Sequence, residues 1–192
     1  MSEPITNIEQ WIDLKCHPSA HSAAVRSVQV LVRRLAGAEL QMTFRVDGDI
    51  PRIKIPAPGV QRFNKELWRH TCFETFVSLE GQREYHEFNF ASSGEWAVFA
   101  FSDYRSGGPL PNELLCPHIA LRSTPTRLEL DAIAKLDALS PIYSRARLRL
   151  GLSAVIETSD GYSYWALAHP AEKPDFHNVE GFALLLDAPR SV

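Results

Sequence analysis

A chain of 192 residues with 45% hydrophobic content is long and apolar enough to bury a full core as one domain. Its formal charge of −3 and isoelectric point near 6.2 exclude a surface built for nucleic acid or an anionic membrane, since either needs a basic patch. No apolar run nears the roughly 20 residues of a spanning helix, and Cys16, Cys72 and Cys116 form no Cys-x-x-Cys pair for metal or redox chemistry. The segment from Met1 to Gln10 has neither the basic nor the apolar stretch of an export signal, so the expected location is cytoplasmic.

Helical periodicity is confined to a turn or two near residues 7–13 and 112–116. Strand patterns dominate. Val28, Val30 and Val32 alternate, and after Leu35, Ala36, Gly37 and Ala38 the alternation resumes with Leu40, Met42 and Phe44, which predicts a hairpin closed off by Asp47-Gly48-Asp49. Residues 50–67 hold Pro51, Pro56, Pro58 and Gly59 and read as an extended excursion. Strands follow near 70–79, 84–91 and 95–102, then a long loop over 103–117. A hairpin around Thr124-Pro125, a second with Asp160-Gly161 at its turn, and a last strand over 182–186 complete the series. About ten or eleven short strands without alternating helices predict an all-β, antiparallel β-sandwich, immunoglobulin-like or jelly-roll.

Within this pattern Glu74 sits inside an apolar strand, and Glu87 and Asn89 alternate with Phe88 and Phe90 in the next. A two-residue turn places Glu74 opposite Glu87, and a four-residue turn, Glu80 to Arg83, places it opposite Asn89. Either way the three polar groups share one face, whereas a three-residue turn would separate them. The even count is favoured because Phe73, Thr75 and Val77 then join His86, Phe88 and Phe90 as the core face. Two neighbouring carboxylates repel, so one needs a raised pKa or a partner such as Arg69, Arg105 or a ligand. Fixed carboxylate and amide groups suit sugar hydroxyls. A structural network through an arginine, or a carboxylate pair for glycoside hydrolysis, would use the same residues.

Trp68 follows the proline-rich segment and could supply a stacking face for a sugar ring, while Trp96 and Trp165 lie inside strands, where core packing is the ordinary role. The loop from His169 to His177 is polar and held by prolines, with His177 a candidate ligand contact. Nucleophile-elbow, phosphate-loop and dinucleotide glycine motifs are missing.

The run Leu67-Trp68-Arg69-His70-Thr71-Cys72-Phe73-Glu74-Thr75-Phe76-Val77, with Tyr85 to Phe90, Ser93 to Trp96, Tyr164 to Pro170 and Lys173 to His177, resembles DOMON-like domains related to family 9 carbohydrate-binding modules, in a bacterial stand-alone branch. The resemblance implies a β-sandwich that binds a sugar, or a haem, on one sheet, without catalysis. It gives Trp68 the place of a first sandwiching tryptophan and Glu74 that of the acid following it. The second tryptophan's place falls to Trp165 or to the loop around His177. Acidic loops matching the modules' calcium sites are not evident, so no metal is expected. The haem-binding branch uses an axial methionine, for which Met42 is the internal candidate, with a histidine such as His177. The expectation is a non-catalytic domain binding a carbohydrate or sugar derivative through Trp68, Glu74, Glu87, Asn89, Arg105, Trp165 and His177. Haem-based electron transfer and glycoside processing by Glu74 and Glu87 are the alternatives.

Overall fold

The apolar and polar alternation organises the chain into antiparallel strands, which the computed structural model describes over residues 10–35 and 38–188. In chain order these are β1 (Ile12–Cys16), β2 (Val25–Arg34), β3 (Glu39–Gly48), β4 (Cys72–Leu79), β5 (Tyr85–Phe90), β6 (Trp96–Asp103), β7 (Ser106–Pro109), β8 (His118–Thr124), β9 (Arg127–Lys135), β10 (Leu148–Thr158), β11 (Gly161–Ala166) and β12 (Leu184–Leu186). They form a β-sandwich. Sheet I runs β1-β2-β3-β9-β8, and sheet II runs β7-β6-β5-β4-β10-β11, with β12 beside the start of β10. Strand β1 belongs to both, pairing Ile12 to Leu14 with β2 and Lys15 and Cys16 with β11. Helical structure among the described residues is limited to short 3-10 turns, one of them Glu113–Leu115, where the Asn112 side chain accepts from the Leu114 N–H at 3.0 Å.

Two strands depart from the sequence reading. Residues 12–16 pair as β1, whose first two residues fall in the stretch 7–13 expected to form a helical turn, and residues 106–109 pair with β6 as β7 within what reads as a loop. Residues 7–9 of the expected turn lie outside the described residues, as do Ala36 and Gly37 of the first hairpin.

Sheet I shows strict alternation. Val28, Val30 and Val32, Leu40, Met42, Phe44 and Val46, and Leu128 and Leu130 point inward and are fully buried. Sheet II is covered on both faces, and β4 is buried along nearly its whole length. Its inner face sets Phe73 5.1 Å from Phe44 of sheet I, ring centre to ring centre. Phe88, Phe90, Trp96, Leu148, Leu150, Leu152, Ala154 and Trp165 join the same core. Its outer face is closed at one end by Leu67, Cys72, Ala91 and Ala97 and at the other by Phe76, Tyr85 and Phe182 with Phe101 and Phe176 against them. The middle is left to form a cleft.

Candidate functional site

The β4–β5 hairpin pairs Ser78 with Tyr85 and Glu74 with Asn89, so the loop is the four-residue Glu80-Gly81-Gln82-Arg83, with Gly81 at a left-handed φ of 81°. Glu74, Glu87 and Asn89 therefore share the outer face of sheet II. They are 3%, 5% and 0% exposed, at the floor of a cleft of about 940 Å³.

Asn89 Nδ2 donates to Glu87 Oε1 at 2.8 Å, and Ser153 Oγ, in register with Glu74 on β10, donates to Glu74 Oε2 at 3.4 Å. His177 Nε2 stands 3.6 Å from Glu87 Oε2. Its other ring nitrogen, Nδ1, is 2.9 Å from the Tyr85 hydroxyl, which itself accepts the Arg105 N–H at 3.1 Å. Tyr85 spends its proton on Nδ1, which puts the imidazole proton on Nε2, facing the carboxylate.

Burial pushes Glu74 well above the usual carboxylate range, and the neighbouring Glu87 adds to it. Burial likewise raises Glu87 to about 7, against the pull of Asn89 and the Arg105 charge. His177 is held down at about 4 by burial and then by Arg105, and so is neutral at neutral pH. Arg105 is not ion-paired to either glutamate. Its Nη2 bonds Asp175 Oδ1 at 2.8 Å, Tyr104 donates to Asp175 Oδ2 at 2.8 Å, and Asp175 also accepts the His177 N–H at 3.2 Å. Arg105, at a left-handed φ of 51°, thereby ties the β6–β7 turn to the His177 loop.

Aromatic groups form the walls. Trp68, in the 3-10 turn Leu67–Arg69, is 52% exposed at the rim. Across from it Tyr162 and Tyr164 lie in parallel at 6.5 Å on β11, Phe176 meets Tyr164 at 6.2 Å, and Phe99 and Phe101 continue the lining from β6. Arg69 pairs with Glu66 at 3.3 Å, away from Glu74.

The structure thus brings Trp68, Glu74, Glu87, Arg105 and His177 to one cleft, with Asn89 fully buried beneath it. Trp165 is not there. It is in register with Ala154 and Cys16 on the inner face of sheet II, its Nε1–H donating to Ser163 Oγ at 3.0 Å, so it serves the core. Met42 is buried in the core on sheet I, whereas His177 covers the outer face of sheet II, so the two cannot share an iron. Tyr162, Tyr164, Phe99, Phe101 and Phe176 are linings the sequence reading missed. The alternation of Tyr162 and Tyr164 against Ser163 and Trp165 carried that signal.

No protein-family model and no curated protein sequence matches the chain. Among solved structures, a protein of Bacteroides uniformis provisionally described as carbohydrate-binding superposes with a TM-score of 0.70 at 15% identity, over 94% of this chain and 86% of that one. A family 9 carbohydrate-binding module of Caldicellulosiruptor kristjanssonii, solved in complex with glucose, gives a TM-score of 0.55 at 9% identity, over 100% of this chain and 93% of that one. At these identities the likeness establishes the fold.

Proposed function

We propose that this chain is a non-catalytic carbohydrate-binding protein whose ligand occupies the cleft on the outer face of sheet II. The observation that carries the reading is the buried Glu74–Glu87–Asn89 floor beneath aromatic walls. Aromatic faces take the C–H face of a pyranose ring, while fixed carboxyl and amide groups orient its hydroxyls. The fold shared with a glucose-bound family 9 module supports it. Calorimetric titration with a broad glycan panel tests it. Binding that weakens at least about tenfold in Trp68→Ala is the expected result, and silence across the panel would sink the proposal.

Glycoside hydrolysis is the second reading, because a Glu74 held well above the usual carboxylate range beside a Glu87 raised to about 7 is also what general acid–base chemistry uses. Turnover of chromogenic glycosides that disappears in Glu74→Gln would replace binding with catalysis.

A further inference from the structure

Three glutamates are buried among the described residues, and they are treated differently. Glu157 is neutralised by Lys54 and bonded by His70, each at 2.8 Å. Glu74 and Glu87 have no lysine or arginine within ion-pair distance among the described residues, and His177 stands 3.6 Å from Glu87. The floor also has an excess of acceptors. Glu74 has one long bond from Ser153 at 3.4 Å, and the Asn89 Oδ1, fully buried between the carboxyls, has no partner. A buried acceptor without a donor costs about 1–3 kcal/mol, so this floor is incomplete as it stands.

We infer that the floor is built for a ligand carrying a protonated primary amine on a hydroxylated ring, an amino sugar with a free amine, in preference to a neutral sugar. The inference rests on the carbohydrate-binding reading above. An ammonium supplies one positive charge and three donors and has no lone pair needing a donor in return. A neutral hydroxyl brings one donor and two lone pairs, and the protein donors here are already used by Glu74 and Glu87. The walls suit the same group, since the faces of Tyr162 and Tyr164 attract a cation as well as a ring face, whereas the Trp68 ring already has the Arg69 guanidinium 5.3 Å from its centre. N-acetylation removes the charge and adds a further acceptor. Among the described residues no group of three His, Cys, Asp or Glu side chains could hold a metal. In the free protein below pH 7, Glu87 carries a proton in place of a neighbouring charge. The incoming ammonium replaces it, and that proton leaves to solvent.

Calorimetry of the whole chain at pH 6.0, where the glucosamine amine and Glu87 both hold their protons, with D-glucosamine, D-glucose and N-acetyl-D-glucosamine in two buffers of different ionisation enthalpy, tests this. Glucosamine should bind at least about tenfold more tightly than the other two, with proton release seen as a buffer-dependent heat. The isosteric double variant Glu74→Gln/Glu87→Gln, shown folded by its thermal melt, should bind glucosamine no better than glucose and release no proton. Glucose binding as tightly as glucosamine, or a wider panel in which only neutral glycans bind, overturns the inference and leaves carbohydrate binding standing. If no glycan of any kind binds, the carbohydrate reading itself fails.

Discussion

The outer faces of the two sheets are built from the same alternation and treat charge in opposite ways. On sheet I, Arg45 meets Glu129 at 2.8 Å, Arg127 meets Asp47 at 2.8 Å and Arg122 meets Asp131 at 2.5 Å, an array of matched pairs open to water. On sheet II, Glu74 and Glu87 lie buried, and among the described residues no lysine or arginine is within ion-pair distance of them. The difference comes from covering. Sheet I's charges keep partial exposure, whereas the turn around Leu67 and the segment from Phe176 to Phe182 close over sheet II and leave a gap at the carboxyls. Charges in water cost little and add little, while charges under a lid demand a partner.

The largest expected effect is on the pH dependence of stability. Burial raises Glu87 from 4.5 to about 7, and raises Glu74 in the same direction. Between those values the folded chain holds more protons than the unfolded one, so these groups lower stability as pH rises from 4.5 through 7. For Glu87 alone the shift corresponds to roughly 3 kcal/mol. His177 has the opposite sign: held at about 4 against 6.5, it raises stability with pH across that window. Among the groups facing the pair (Cys72, Tyr85, Arg105 and His177), His177 is the one whose folded and unfolded values, about 4 and 6.5, span this window. In Glu74→Gln/Glu87→Gln, Tm should therefore climb from pH 4.5 to 6.5, where the wild type stays level or falls. Parallel Tm profiles for the two proteins would refute the buried-carboxyl account.

Gly151 comes next. It faces Phe76 on the covered side of sheet II, where an added Cβ would lie 2.6 Å from Phe182 Cδ1 and 3.2 Å from Phe76 Cβ. Gly151→Ala should cost about 1–3 kcal/mol in denaturant unfolding. Gln41→Ala on sheet I should stay within about 0.5 kcal/mol, and equal costs would erase the contrast between the faces.

Trp68→Ala should leave Tm nearly unchanged, because the ring is 52% exposed. Its glycan affinity should still drop about tenfold, some 1.4 kcal/mol; a large fall in Tm would instead make Trp68 a structural residue. The smallest effect is at Arg45, which pairs with Glu129 and lies 3.6 Å over the Trp11 ring. Arg45→Ala should cost about 0.2–1 kcal/mol, shrinking in high salt. A salt-independent loss above that range would show that sheet I's outer face is less open than its mate.

Much of this was legible in the chain. Period-two patterning marked ten of the strands, and the apolar register of the β4–β5 hairpin required an even turn, which put Glu74, Glu87 and Asn89 together. Strand β7, Ser-Gly-Gly-Pro, has no side chains to alternate and exists only through its pairing with β6. β1, Ile12-Asp13-Leu14-Lys15-Cys16, does alternate, but over only five residues that overlap the expected turn, and it divides its pairing between the two sheets. Trp165 shows a different limit. Alternation assigns Trp165 and Ser163 to one face and Tyr162 and Tyr164 to the other, but in a sheet covered on both sides it does not say which face is the core.

Read alone, then, the sequence determined the sandwich class and the parity that unites the carboxyls, because alternation and turn length are local properties of the backbone. Only the tertiary structure decided that this face turns outward, that Tyr162, Tyr164 and Phe176 wall it and Trp165 does not, and that among the described residues His177 and no lysine or arginine comes within ion-pair distance of its floor. Those facts depend on segments a hundred residues apart closing over one strand pair, and no local pattern encodes that contact.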